Sequence, residues 1–491
     1  MVFPTLEFVL FLAVVLAVNL ALTWRQGTPA PAPEPGPPAA RGPGSGPGRV
    51  LPAIASRLDA RKAFLIAASY WFYAAWDWRF CLLMAGVSAI AWAGGLRADR
   101  RAVRIASIAG LLVVLGIFKY FNFFFLSLGQ LLGDTFLARD LGWMRVILPV
   151  GISFYTFQAI SYVMDCARGD IAPRRNPFDV ALYISFFPQL VAGPIVRAAD
   201  FLPQIDRPYV VDTAMRGAAV LLILSGLFKK MVVANYLSVL IVDPVFAFPD
   251  GQAWPETLAA VIGYGIQIYC DFSGYSDIAI GVALLLGYRF QRNFNQPYRA
   301  RGLSDFWRRW HISLSSWIRD YLYIPLGGNR GGVARQVWTL LLTMTLAGLW
   351  HGAGWNFLVW GFLHGAALGV ERGLRRVPLG PLRWLAVPVT LLIVFALWIP
   401  FRAADWEGTL AILSALTRAE GFAGTVVPPQ ALALIAIGLA MNWLPLAMRD
   451  VAEGALMRVP AVGQALILAA GTILLFATAQ DGVAPFIYFQ F

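Results

Sequence analysis

Apolar runs of roughly twenty residues, each long enough to cross a hydrocarbon core as a helix, recur from one end of this chain to the other and confine it to a membrane. They lie near 5–24, 63–96, 103–132, 146–166, 215–242, 257–287, 336–370, 382–401, 430–448 and 462–480. Several are long enough for two helices, so about eleven or twelve spans are expected. A bilayer core offers the backbone no water, so these spans are helices and the fold class is all-α, a polytopic integral membrane protein. The 59% share of hydrophobic residues and the mean hydropathy of +0.65 exceed what a soluble core requires. Residues 178–196, FDVALYISFFPQLVAGPIV, are interrupted by Pro188, Gly193 and Pro194 and read as a re-entrant or broken helix, which only a covering of protein makes tolerable.

Charge sets the expected topology. The net charge of +12 rests almost wholly on arginine, because the lysines are Lys62, Lys119, Lys229 and Lys230 alone. Basic residues crowd Arg25 to Lys62, Arg97 to Arg104, Arg168 to Arg175 and Arg289 to Arg335. With the N-terminus outside, all four loops become cytoplasmic, as the positive-inside bias demands. These arginines flank spans and are not interleaved with a soluble recognition fold, so nucleic acid is not an expected partner. The opening MVFPTLEFVLFLAV lacks a basic start and a small-residue cleavage site and reads as a retained first span. Residues 27–49 are a Pro/Gly/Ala tract that cannot build a core. The expected organisation is a first transmembrane helix at 1–24, a disordered cytoplasmic linker at 25–60, a core at 61–380 and C-terminal helices at 381–491. Cys81, Cys166 and Cys270 stand at irregular distances beside apolar segments and suggest neither a disulfide framework nor a metal site.

Against this apolar background a few polar residues stand out. The chain has three histidines, His311, His351 and His364, within about 55 residues. Some 15 apolar or small residues separate His351 from Arg335, which places its imidazole near mid-membrane, where it needs a hydrogen-bonding neighbour or a chemical task. On a continuous helix His364 would lie about 220° round from His351, off its face, and it reads as structural. His311 follows Arg308, Arg309 and Trp310 in a segment, 288–335, where aromatic residues and arginines alternate as in an interfacial or inward-folding element. Asp271 and Asp277 sit in an apolar helix, where a charge costs about 2.5–3.5 kcal/mol on insertion scales. They face a polar cavity, or pair with arginines of 288–335, or both. A neutral buried imidazole beside such a cavity can act as general base for a hydroxyl attacking an acyl carbonyl. No nucleophile elbow or P-loop points elsewhere.

The strings ILPVGISFYTFQAISYVMD (147–165), FFPQLVAGPIVRAADFLPQI (186–205), YGIQIYCDFSGYSDIAIGVALLLGYRFQRNFNQPY (264–298), DFWRRWHISLSSWIRDYLYIPLGGNRGG (305–332) and LAGLWHGAGWNFLVWGFLHG (346–365) occur in that order. SYWFYAAWDWRF (69–80) and the final PFIYFQF (485–491) extend the pattern over nearly the whole chain. In these strings the chain resembles the membrane-bound O-acyltransferase family, and within it the bacterial alginate O-acetyltransferase branch. The resemblance implies helices around a tunnel, thin at its middle, with His351 of the LWHG string as the active base and Trp350 beside it. It implies His311 of RRWHISLS as a second, cytoplasmic-side histidine, and it matches Asp271, Ser273, Tyr275 and Asn295 to residues lining or bracing the donor side. Arg308 and Arg309 are then placed to grip donor phosphates.

The expected activity is transfer of an acyl group, acetyl by the branch, from a cytoplasmic thioester to hydroxyls of an extracellular polysaccharide. No permanently bound cofactor is expected; acetyl-coenzyme A or an acyl carrier thioester serves as co-substrate. Expected partners are periplasmic acetyltransferase proteins, polysaccharide synthesis machinery and the lipid bilayer, in a bacterial inner membrane. A non-enzymatic transporter would show repeated halves and charges spread through the spans, and neither is present. A silent scaffold in a polysaccharide synthesis complex is the other alternative.

Overall fold

The computed structural model describes residues 3–24, 52–133, 146–191, 193–374, 384–418 and 427–478. The Pro/Gly/Ala tract and the closing PFIYFQF string lie outside the described residues. Those described are helical with no named strand among them; a single bridge joins Ile54 to Arg174. Two compact units form, Met1–Ala219 with Ala279–Gln291 and Val220–Ile278 with Arg292–Phe491.

The first unit contains α1 (Leu6–Thr23), α2 (Ala60–Asp77), α3 (Arg79–Leu96), α4 (Arg101–Leu132), α5 (Ile152–Arg168), α6 (Pro177–Ser185), α7 (Phe187–Leu190) and α8 (Ala198–Ile205). The run 63–96 divides into two helices at Trp78, whereas 103–132 stays within one helix of 32 residues. α4 buries only Leu111, Leu115 and Gly129 and exposes Ile105, Leu112, Ile117 and Phe124, the surface a lipid-facing helix needs. The interrupted stretch 178–196 becomes α6 and α7, broken at Phe186 ahead of Pro188, and its residues are largely buried as the expected break requires. An ion cluster anchors α6. Asp179, wholly buried, takes Lys62 at 3.2 Å and Arg174 at 3.5 Å, accepts a hydrogen bond from Ser56, and Arg174 reaches Asp206 at 2.6 Å. Two buried cations thus meet two carboxylates, which fastens residues 54–62 to α6.

In the second unit α9 (Thr213–Ala247) contributes its residues from Val220 and α10 (Trp254–Leu285) its residues through Ile278. They cross at a glycine pair: a Cβ on Gly226 would stand 2.6 Å from the Gly274 carbonyl oxygen, and one on Gly274 2.7 Å from that of Gly226. Only glycine permits this approach. Immediately beyond the crossing α9 widens into a π-helical stretch, Phe228–Ala234, a deformation frequent at functional sites. There follow α11 (Leu303–Arg309), α12 (Ile312–Ile318), α13 (Val333–His351), α14 (Trp355–Leu374), α15 (Ala386–Arg402), α16 (Trp406–Ala415), α17 (Pro429–Ala440), α18 (Leu446–Met457) and α19 (Ala461–Ala477). Among the described residues five helices are long and apolar enough to cross a membrane: α1, α3, α4, α9 and α10.

Two expectations need correction here. The run 430–448 is not one span: α17 has 12 residues, about 18 Å of helix, and the chain then turns. Asn442 turns it, donating to the Gly438 carbonyl at 3.1 Å and accepting the Tyr298 N–H at 3.2 Å, before Pro445 starts the next helix. The run 336–370, long enough for two helices, does hold two: Gly352 ends α13 and α14 begins at Trp355. The expected boundary at 380 also cuts through packed structure, since Phe401 lies 5.5 Å and 5.1 Å from the rings of His351 and Trp360.

α13 and α14 form a tight antiparallel pair whose contact is built from Gly348 on one helix and Gly361 and Gly365, one turn apart, on the other. A Cβ on Gly361 would clash with the Met344 carbonyl oxygen and stand 3.0 Å from the Gly348 Cα, and one on Gly365 would stand 2.8 Å from the Leu341 Cα. Gly361→Leu is therefore expected to cost at least about 1–3 kcal/mol and to displace His351 at the end of α13. Gly373→Ala, with nothing within 4 Å of the new methyl, leaves stability unchanged or slightly raised. Thermal melting of the two detergent-solubilised variants checks this contrast.

Candidate active site

His351 is the last residue of α13, about 24 Å along the helix from Arg335, and is 4% exposed. Its ring meets three aromatic side chains edge to face: Trp350 at 5.0 Å, Trp360 at 5.1 Å and Phe401 at 5.5 Å between centroids. α13, α14 and α15 each contribute to this box, and the glycine contact between α13 and α14 brings His351 and Trp360 together.

His311 lies between α11 and α12 and is wholly buried. Its backbone is left-handed, with φ 42° and ψ 56°, a conformation that a residue with a side chain holds only when its surroundings enforce it. Phe272 of α10 packs edge-on at 4.6 Å. Trp350 lies 6.3 Å from His311 and 5.0 Å from His351, so one indole touches both imidazoles. Burial alone pushes the His311 imidazole down to about 3, which keeps it neutral at physiological pH.

His364 is reached through a second indole. Its ring stacks edge-on to Trp360 at 4.7 Å and Trp307 at 5.2 Å, and it is wholly buried. The expectation that it lies some 220° from His351 assumed one continuous helix, and the break at Gly352 removes that premise. Trp360 separates the two imidazoles.

The aspartates of α10 take lysines of α9, and Asp277 also acts electrostatically on Arg292 of 288–335. Asp271 takes Lys230 at 2.5 Å, with side-chain exposures of 3% and 2%, and Asp277 takes Lys229 at 2.6 Å. The glycine crossing and the π-helical stretch bring these lysines alongside. Tyr275, buried, lies under Lys230 with the ammonium 5.5 Å from its ring centroid.

Two adjoining cavities open beside these groups. One, of about 320 Å³, is lined by Lys229, Ser273, Asp277, Arg292, Asn295 and Arg449 among others. The other, of about 430 Å³, is lined by Arg299, Arg301, Asp305 and Arg309 and shares Asn295, Gln296 and Leu446 with the first. Each carries three cations against one carboxylate, a balance that suits an anionic ligand. Burial, and then the Arg449 guanidinium, hold Arg292 below the ordinary arginine range. The arginines of RRWH part company here: Arg309 lines the cavity 3.0 Å from Asp305, whereas the Arg308 side chain is 70% exposed and contributes nothing to the lining.

Sequence reasoning passed over Asn293, whose side-chain oxygen lies 3.1 Å from His311 Nδ1. It also passed over Lys229 and Lys230 as partners, and Trp360 and Phe401 as walls. The lysines had a signal: two ammonium groups in an apolar run require acids, and Asp271 and Asp277 are acids in an apolar run of their own. Between Asn293 and Asn295 the sequence offers no choice.

Comparison with known proteins follows the same residues. The model of MBOAT, the membrane-bound O-acyltransferase family, matches residues 172–399, which contain both histidines of the aromatic box and loop. A Pseudomonas aeruginosa protein, "Probable alginate O-acetylase AlgI", is 44% identical over 363 residues, covering 71% of this chain and 68% of its own. A Helicobacter pylori peptidoglycan O-acetyltransferase is 35% identical over 412 residues, 76% of each chain. A Bacillus subtilis teichoic acid D-alanyltransferase is 29% identical over 234 residues, 45% of this chain and 58% of its own.

Proposed function

Because this chain belongs to the membrane-bound O-acyltransferase family and is an O-acyltransferase of the membrane, we propose that it passes acetyl from a cytoplasmic thioester across the bilayer for attachment to hydroxyls of an extracellular polysaccharide. Acetyl is preferred to D-alanyl because the relatives named for acetylation are 44% and 35% identical over 71% and 76% of this chain, against 29% over 45%.

One observation carries the mechanism: His351 is buried in an aromatic box, a single indole away from His311, on whose flanking loop Phe294 and Asn295 line a cation-rich cavity. An acyl carbon held at His351 is shielded from hydrolysis by Trp350, Trp360 and Phe401. The His351 imidazole takes the proton of the acceptor hydroxyl while that oxygen bonds to the thioester carbonyl carbon; the C–S bond then breaks, and the proton returns to the thiolate. Arg309, Arg299 and Arg301 in one cavity, with Arg292 and Arg449 in the other, fit the phosphates of coenzyme A and of a phosphopantetheine carrier alike. The acceptor hydroxyl belongs to the polymer or to a periplasmic partner that completes a relay. The basic loops support a bacterial inner membrane location with a periplasmic N-terminus.

The cavity lining refines the test of the arginines. Arg309→Ala is expected to raise the donor KM roughly tenfold, the loss of about 1.4 kcal/mol, while Arg308→Ala leaves it within twofold of the parent. Thioester consumption by membranes carrying each variant, followed over donor concentration, reads both. Equal effects of the two substitutions, or none from Arg309→Ala, would remove the donor role from this cavity.

A further inference from the structure

Asn293 is wholly enclosed and bonds the His311 turn through both its side chain and its backbone. Its side-chain oxygen lies 3.1 Å from His311 Nδ1, 2.9 Å from Ser313 Oγ and 3.2 Å from the Ser313 amide nitrogen. Its backbone carbonyl accepts the Ile312 N–H at 2.8 Å, and its side-chain nitrogen donates to Ser276 Oγ of α10 at 3.1 Å. Two residues on, the Asn295 N–H donates to the Arg309 carbonyl at 2.9 Å. The loop 293–295 thus pairs with the chain on both sides of His311 and holds it at φ 42°.

The donors settle the protonation of the ring. A backbone amide can only donate, so the Asn293 atom facing the Ser313 N–H is the carbonyl oxygen. His311 Nδ1 faces that same oxygen at 3.1 Å and Ser313 Oγ at 3.4 Å; because the Ser313 hydroxyl donates its one hydrogen to the Asn293 oxygen at 2.9 Å, Nδ1 carries the hydrogen of its own bond to that oxygen. Nε2 is then the unprotonated nitrogen, the one that bears a lone pair in the ring plane.

We propose that Asn293 is the positioning residue for His311, fixing the Nδ1–H tautomer and the left-handed turn so that Nε2 is the nitrogen offered to the reacting groups. This deepens the proposed function and rests on its premise that His311 takes part in acyl transfer. The task is of the kind a hydrogen-bonded partner performs for other active-site histidines, holding ring and tautomer without touching substrate. The neutral amide is the significant choice. Burial alone keeps the His311 imidazole neutral. Of the charges on the elements packed against it, Asp271 and Asp277 of α10 pair with Lys230 and Lys229, Arg319 after α12 pairs with Asp320, and Arg308 and Arg309 of α11 share Asp305. A carboxylate at 293 would add an unmatched charge beside the ring.

The test uses the full chain in its own membranes, with acetyl-coenzyme A and an acetylated carrier protein supplied separately as donors, and records kcat, KM and pH profile from 5 to 8. Asn293→Ala is expected to lower kcat roughly 10- to 100-fold with the donor KM little changed. Asn293→Asp keeps the accepting oxygen, so it recovers most of the rate at pH 8; its charge raises the His311 imidazole pKa and moves the fall in rate with decreasing pH to higher pH than in the parent. A residue that only packs would give an aspartate variant whose profile parallels the parent's. Parent-like kcat in Asn293→Ala, or a parallel profile in Asn293→Asp, while His311→Ala is inactive, overturns the inference and leaves the proposed function standing. A fully active His311→Ala overturns the premise instead. Should the alanine variant fail to fold, the aspartate profile decides.

Discussion

His351→Ala is expected to slow acyl transfer by roughly 10²- to 10⁴-fold, the usual contribution of a positioned general base, with the protein still folded and present in the membrane at the parent level. The separation of chemistry from folding follows from where the residue stands. It closes α13, ahead of Gly352, and its neighbours Trp350, Trp360 and Phe401 keep contacts of their own: Trp360 stacks on Trp398 at 6.0 Å, and Phe401 meets Phe357 at 5.2 Å. Losing the imidazole opens a small void in a box that other rings still hold. His351→Gln, which fills the space and hydrogen-bonds but cannot serve as a base at neutral pH, is expected to be as slow as the alanine variant. Thioester consumption and polymer-bound acetate measured in one membrane preparation, normalised to protein, check both substitutions. A glutamine variant near the parent rate would show that the position needs shape and polarity, not a base.

Lys230→Ala carries the largest expected loss of stability, about 3–5 kcal/mol, because it leaves the Asp271 carboxylate buried without its cation. The distinguishing experiment is the double variant Lys230→Met, Asp271→Leu. Replacing both charges with apolar side chains of similar size removes the desolvation cost together with the attraction, so melting is expected to return close to the parent. Activity then becomes informative. If the restored protein transfers acetyl normally, the pair only fastens the π-helical stretch of α9 to α10. If it folds and is inactive, the charges serve the reaction, the role that the DFSGYSD string suggested for Asp271. Melting by size-exclusion chromatography after heating, beside thioester consumption, reads both.

How much of this was legible in the sequence depends on the range of the physics involved. Spans such as Leu6–Thr23 and the division of 63–96 into two helices follow from length and hydropathy, which are local. So does the broken stretch at Pro188. The end of α13 at Gly352 was harder, since Gly-Ala-Gly within an apolar run fits a continuous transmembrane helix as readily as a break, and the error carried over to the bearing of His364. Partners across the fold were illegible. Lys230 and Asp271 are 41 positions apart in the sequence and meet because Gly226 and Gly274 let two helices touch. Asn293 and Asn295 share one string; Asn293 points onto His311 and Asn295 onto the cavity wall because the chain bends at both positions, whereas in a regular strand residues two apart would share a face. The adjacent arginines divide likewise, Arg309 to the cavity and Arg308 to the exterior.

The central claim is that acetyl crosses the membrane through a transfer point at His351. Sealed membrane vesicles of known orientation, given a labelled acetyl thioester on the cytoplasmic face alone, test it most directly. The account predicts label on hydroxyl acceptors at the opposite face with the parent chain, and none above background with His351→Ala present in equal amount. Label appearing at the same rate with the alanine variant, or labelled acceptors confined to the face that received the donor, would contradict it.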